Sequence, residues 1–153
     1  MTKLTMHPVT AENWRQITVL APKEDQERFI ESNAVSILES IYEPEHNWRC
    51  FGLYQGKEVA GFVMIGAENK EEGWIWLDRF MLDKDFQGKG LGNAFLKTAV
   101  DYIRRNYKVR EIILSVTGEN NAAKIFYKKN GFRNTGLIDP ENGEEIFSLH
   151  LSG

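Results

Sequence analysis

Three glycines alternate in Gln87-Gly88-Lys89-Gly90-Leu91-Gly92. They follow an extended run rich in aromatic and branched residues, Trp74 to Leu82, and a short polar turn, Asp83 to Phe86. They precede an amphipathic segment in which Leu91, Phe95, Ala99 and Tyr102 recur at helical spacing. A strand feeding a glycine-rich turn at a helix start can hold an anion. The first N–H groups of a helix lack internal partners, and the helix dipole is positive there. Glycine lets the anion approach without obstruction by a Cβ. The chemistry indicated is phosphate binding, and two common phosphate loops are excluded. A P-loop needs Ser or Thr after Gly-Lys, but Gly90 follows Lys89. The dinucleotide fingerprint is G-x-G-x-x-G, whereas these glycines read G-x-G-x-G.

Composition narrows the classes further. The chain has 153 residues, enough for one domain with a real core, and a single domain over 1–153 is expected. A net charge of −3 argues against a nucleic-acid partner and suits a small cationic substrate. The one cysteine, Cys50, sits in an apolar run and reads as a core residue; with no internal disulfide available, a reducing compartment fits. No signal peptide or membrane-length apolar run is read, so a soluble, cytoplasmic protein with no membrane partner is expected. His7, His46 and His150 are scattered without metal-ligand spacing, and no metal is expected.

The remaining elements follow in order. Leu4 to Val9 reads as a strand, and Thr10 as the cap of a helix running to about Leu20, which Pro22 ends. Glu24 to Tyr42 reads as a helical region that can split near Ser32-Asn33. Arg49–Tyr54 and Glu58–Gly66 form a hairpin across Gln55-Gly56-Lys57, followed by an acidic loop, Ala67 to Gly73. The helix after the glycine turn runs to about Arg105. Arg110 to Val116 is a near-continuous apolar strand. Asn120 to Asn130 is a short helix capped by Gly131, and Phe132–Ile138 with Glu145–Leu151 closes the chain as a hairpin. This order predicts an α/β sandwich with a mixed, mostly antiparallel sheet and helices on both faces.

Two motifs carry a family resemblance. Gln87 to Gly92 matches Q/R-x-x-G-x-G/A, and Asn120 to Phe132 matches N-x-x-A-x-x-x-Y-x-x-x-G-F. Together, in this order, they resemble the GNAT superfamily of N-acetyltransferases, which implies the acetyltransferase fold and acetyl-CoA as cosubstrate. The resemblance implies that Gln87, Gly88, Lys89, Gly90, Leu91 and Gly92 hold the pyrophosphate. Phe80, Met81 and Leu82 would pair by backbone with the pantetheine arm as an added strand, with an N–H of the Met81 region on the thioester carbonyl. Asn120 would bond the pantetheine or a nearby water, and Tyr127 would stand beside the sulfur as general acid. The leaving thiol has a pKa of about 8.5, so a phenol within reach can stabilise or protonate the thiolate. Position 87 is Gln where many relatives have Arg, so it adds no charge to the site. Homodimers are common in the superfamily, and nothing in the sequence itself shows one.

An amine attacking the thioester directly must first lose a proton, since aliphatic ammonium groups have a pKa of about 10. The resemblance names no base. Asp78, two residues before the thioester-binding stretch, is the first candidate, and Glu31 the second. Alternation predicts Asp78, Trp76 and Phe80 on one strand face, with Arg79 and Met81 on the other.

Trp76-Leu77-Asp78-Arg79-Phe80 and Phe29-Ile30-Glu31-Ser32 are similar to the bacterial spermine/spermidine acetyltransferases. A polyamine acceptor calls for spaced carboxylates with aromatic faces between them. Glu31, Asp78 and Glu39 are candidates for the first, and Tyr42, Trp48, Trp74 and Trp76 for the second. Two other readings stay open: acetylation of another amine (an amino sugar antibiotic, an amino acid or a protein N-terminus), and a non-catalytic acyl-CoA-binding module.

Overall fold

Every second side chain of a strand meets one face of its sheet, and in one long central strand that alternation builds two cores. A computed structural model describes residues 3–151. The described residues form β1 (Leu4–Pro8), α1 (Trp14–Thr18), α2 (Asn33–Tyr42), β2 (Arg49–Gln55), β3 (Glu58–Asn69) and β4 (Trp74–Leu82). They continue with α3 (Leu91–Asn106), β5 (Glu111–Val116), α4 (Asn121–Lys129), β6 (Arg133–Ile138) and β7 (Glu145–His150). Val63 and Ile65 of β3 join one cluster with Ile75, Leu77, Phe95, Leu96 and Ile103, beneath α3. Phe62 and Met64 join the opposite cluster with Ile17 of α1, Met81 and the partly buried Ile37 of α2. Full burial of a side chain such as Phe95 contributes about 1.5–3 kcal/mol.

The sheet order is β1-β2-β3-β4-β5-β7-β6. β4 and β5 run parallel, and the other neighbours are antiparallel. The mixed, mostly antiparallel sheet with helices on both faces is the architecture expected.

Three local expectations need correction. The first helix begins at Trp14, not after Thr10, because the Thr10 hydroxyl accepts from Glu12 N–H at 3.2 Å and Asn13 Oδ1 accepts from Thr10 N–H at 2.7 Å. Such side-chain turns compete with helix initiation. The same helix stops at Thr18, where Asn33 Nδ2 donates to Ile17 O at 2.9 Å. β3 extends to Asn69, which pairs with Trp74 and shortens the acidic loop. The predicted split at Ser32-Asn33 is present: Ser32 caps α2, its Oγ accepting from Val35 N–H at 3.2 Å.

Candidate active site

β4 and β5 pair only over Trp74–Trp76 and Glu111–Ile113. Beyond that point β3 holds β4 through Leu82, and β7 holds β5 through Val116, so the two strands part. A cleft of about 1150 Å³ opens between them, lined by residues of β4, β5, α2, α4, the glycine turn and the β6–β7 loop.

A bulge shapes the β4 wall. Met64 faces Asp78 and Phe62 faces Met81, so Arg79 and Phe80 together oppose Val63. Arg79 takes the left-handed conformation with φ 54, a strain of about 1–3 kcal/mol for a non-glycine residue. The inserted residue resets the alternation. Asp78 and Trp76 stay on the face shared with Met64, Arg79 joins it, and Phe80 turns to the α3–α4 face, stacked at 6.0 Å on Phe126. The expected pairing of Asp78 with Phe80 on one face is therefore wrong, and the bulge is the reason.

The ladder also decides which peptide groups face the cleft. Asp83 N–H donates to Ala60 O at 2.7 Å. Hydrogen-bonded pairs alternate along an antiparallel ladder, so Met81 with Phe62 is the next such pair. The N–H and C=O of Met81 thus point at β3, and those of Phe80 and Leu82 point at the open edge. Within the Met81 region, it is therefore the N–H groups of Phe80 and Leu82 that are turned away from β3.

Beside this edge, Gly90 starts α3 with φ 75 and Gly88 has φ 77. A Cβ at either would meet no atom within 4 Å, so the space over the turn is clear. That clearance, with the unpaired N–H groups of a 16-residue helix, fits a pyrophosphate. Gln87 lines the cleft, and its Nε2 donates to Leu82 O at 2.9 Å, tying the turn to β4. Gly88, Gly90 and Gly92 also line it, whereas Lys89 and Leu91 do not. Lys89 Nζ lies 5.7 Å from the Phe86 ring centre, and Leu91 packs on the core.

The reactive candidates meet in the same cleft. Tyr127, Asp78 and Glu31 all line it, as do Phe80, Met81, Leu82 and Asn120. The Tyr127 ring is held edge-on by Phe126 at 5.1 Å and Phe132 at 5.6 Å. Burial pushes its phenol above the usual range, and the Asp78 charge adds to that. Burial likewise raises the Asp78 carboxyl from 3.8, against the opposing pull of Arg79; Glu144 and Glu39 raise it further. Asn120 spends its side-chain oxygen on capping α4, accepting from Ala123 N–H at 3.2 Å. Glu31 Oε1 accepts from Ser32 N–H at 3.1 Å.

From the acidic segment Glu24 to Glu45, the structure turns Glu31, Glu39 and Glu43 to the cleft. Arg79 Nη2 is 3.2 Å from Glu39 Oε2, and Arg79 Nη1 donates to Ser36 Oγ at 2.8 Å. Of the expected aromatics, Trp48 and Trp76 line the cleft, Tyr42 is 76% exposed, and Trp74 borders a separate surface hollow. Cys50 packs against the α1–α2 core, as expected. Asp139, Glu141 and Glu144 of the β6–β7 loop, with Ser115 of β5 and Thr117 just after it, also reach the cleft. The sequence reading missed them because the loop had the composition of an ordinary turn. Ser115 left one signal, as a polar residue interrupting an apolar strand.

A splayed parallel strand pair beside a glycine turn, with a tyrosine from the following helix, defines an acyl-CoA-dependent transferase. The model of the acetyltransferase (GNAT) family matches residues 8–132, and the chain belongs to that family; it is an acetyl-CoA-dependent N-acetyltransferase. A probable spermine N(1)-acetyltransferase of Bacillus subtilis subsp. natto (strain BEST195) is 35% identical over 153 residues, which cover 97% of this chain and 99% of the relative. The spermine/spermidine N(1)-acetyltransferase of Bacillus subtilis (strain 168) is similar to the same degree, 35% over 97% and 99% of the two chains. In fold, the chain resembles the spermidine N-acetyltransferase from Vibrio cholerae solved with CoA and spermine, with TM-score 0.75 and 19% identity over 96% of this chain and 95% of that one.

Proposed function

We propose that the acceptor is a polyamine such as spermine or spermidine. The observation that carries this reading is the composition of the cleft wall, where Glu31, Glu43 and the Arg79-paired Glu39 line the same space as Trp48 and Trp76. Carboxylates several ångströms apart suit a chain of separated ammonium groups, and aromatic faces suit the cationic methylenes between them. The two Bacillus subtilis relatives, named for spermine and spermidine, support the same reading.

In this reading each wall has one task. The bound cosubstrate supplies an acetyl thioester and a thiol leaving group. Gly88, Gly90 and the first N–H groups of α3 hold its pyrophosphate, and the edge of Phe80 and Leu82 holds its arm. Asp78 takes the proton from the attacking ammonium, directly or through water. Tyr127 donates a hydrogen bond to the departing sulfur, and with a phenol weaker than an ordinary tyrosine it remains a donor throughout the neutral range. The Phe80 N–H, on the edge turned away from β3, is the donor this reading assigns to the charge developing on the carbonyl oxygen.

The test is a free-thiol release assay with acetyl-CoA and spermine, spermidine, putrescine, lysine, an aminoglycoside and a short peptide. Turnover of spermine or spermidine well above the others is expected. Turnover confined to another amine would discard the polyamine and keep the enzyme class. A single domain, cytoplasmic location and a homodimer complete the proposal. The exposed Leu137 and Ile138 of edge strand β6, 63% and 54% accessible, support self-association. Sedimentation at micromolar concentration tests it.

A further inference from the structure

Past their short pairing with β4, the residues of β5 alternate between two faces. Leu114 and Val116 enter the core under α3, which turns Ser115 and Thr117 to the face that carries Asp78 and Trp76. Both hydroxyls hold the same carboxylate. Ser115 Oγ donates to Glu144 Oε1 at 2.7 Å, and Thr117 Oγ1 donates to Glu144 Oε2 at 3.3 Å. Glu144 arrives from the β6–β7 loop, which is closed on itself by Asp139 N–H to Glu144 O and Gly143 N–H to Asp139 O, both 2.8 Å. Its orientation is therefore set from two sides.

A carboxylate oxygen has two acceptor positions, so one hydroxyl on each leaves Glu144 with unused acceptor capacity. Glu144 of the β6–β7 loop and Asp78 of β4 line the same cleft, and neither is ion-paired among the described residues. Two carboxylates facing one gap repel each other, and a cation between them removes the repulsion. An ammonium, with three N–H donors and a positive charge, is the kind of group that two carboxylates lining one cleft attract.

We propose that Glu144 is a substrate-binding residue of this acetyltransferase, gripping the reacting ammonium together with Asp78 and so setting affinity for cationic acceptors. The proposal deepens the polyamine reading, and any cationic acceptor satisfies it. Glu144→Gln keeps the size and the hydrogen bonding to Ser115 and Thr117 while removing the charge. Loss of one charge-assisted contact is expected to raise KM for spermine about tenfold, with KM for acetyl-CoA and the melting temperature unchanged. A second readout separates binding from a structural tether. The charged groups around Asp78 are Arg79, Glu39 and Glu144, with the Tyr127 phenol beside them. Removing Glu144 withdraws one upward push on Asp78, so the acidic limb of kcat/KM should move to lower pH. Ser115→Ala with Thr117→Val keeps the charge, loosens the tether, and should raise KM less than Glu144→Gln does. An unchanged spermine KM and an unmoved acidic limb in Glu144→Gln would overturn the proposal while wild-type turnover of spermine left the polyamine reading intact. If the wild type uses a different amine, that reading falls, and a raised KM for the amine actually used still supports Glu144.

Discussion

Asp83 donates its N–H to the Ala60 carbonyl at 2.7 Å, and this one bond fixes the direction of the peptide groups along the end of β4. Met81 is turned toward β3, and Phe80 and Leu82 toward the cleft. The arrangement depends on an unusually close approach of the two strands, because a Cβ added at Gly61 would lie 2.3 Å from Met81 O. Gly61→Ala must therefore push β3 and β4 apart at the point where the cleft edge is set. A destabilisation of about 1–3 kcal/mol is expected, in the range of overpacked core sites. Urea unfolding checks it, and a loss below about 0.5 kcal/mol would mean that the strands yield easily there.

Asp78 separates catalysis from stability. Its folded value lies above 3.8, with burial the main cause. A raised carboxyl favours the protonated form in the fold, so its contribution to stability is complete below about pH 4 and is lost as pH rises through the raised value. At neutral pH the charged group costs stability. Asp78→Asn removes that cost and keeps an oxygen for the Arg79 N–H, which Asp78 Oδ1 accepts at 2.8 Å. The variant should lose about 10²–10⁴-fold in kcat while its melting temperature at pH 7.5 stays equal or rises. A fall in melting temperature with normal turnover would make Asp78 a structural partner of Arg79 instead.

Much of this was legible before any coordinates. The two motifs placed the glycine turn and Tyr127 together because a strand–turn–helix context at each motif leaves few other arrangements. β4 ran from Trp74 to Leu82 as read, since its aromatic and branched residues favour a strand. The bulge was not legible. Nothing in Asp78-Arg79-Phe80 marks a left-handed residue, and strict alternation put Phe80 on the wrong face. Glu144 was hidden for a related reason: its partners Ser115 and Thr117 are distant in sequence, and only the pairing of β5 with β7 brings them together.

Tyr127 makes a prediction about pH. Its phenol lies above its ordinary value of 10.0 through burial and the charge of Asp78. It is therefore still protonated wherever an ordinary tyrosine would be, and kcat should show no basic limb from this group up to about pH 10. Tyr127→Phe keeps the edge-on packing with Phe126 and Phe132 and loses only the hydroxyl. A fall of about 10²–10⁴-fold in kcat is expected, with little change in KM for either substrate. Unchanged turnover would remove the phenol from the reaction.

Arg79 combines two opposing effects that a pair of substitutions can separate. Its φ of 54 is unfavourable for any side chain, yet its guanidinium reaches Glu39 at 3.2 Å and Ser36 at 2.8 Å, both on α2. Arg79→Ala and Arg79→Gly both remove these contacts and leave Glu39 without its cation, at a cost of about 1.5–3 kcal/mol. They differ in the backbone. In an ordinary strand position alanine is at least as good as glycine, whereas at a left-handed residue glycine escapes the Cβ clash. Arg79→Gly should therefore be the more stable of the two by about 1 kcal/mol. Both should also bind a cationic acceptor more tightly, because the freed Glu39 adds a negative charge to the cleft. Chemical denaturation of the two variants and their KM for spermine decide the matter: alanine equal to or better than glycine would mean that the bulge relaxes once the arginine is gone.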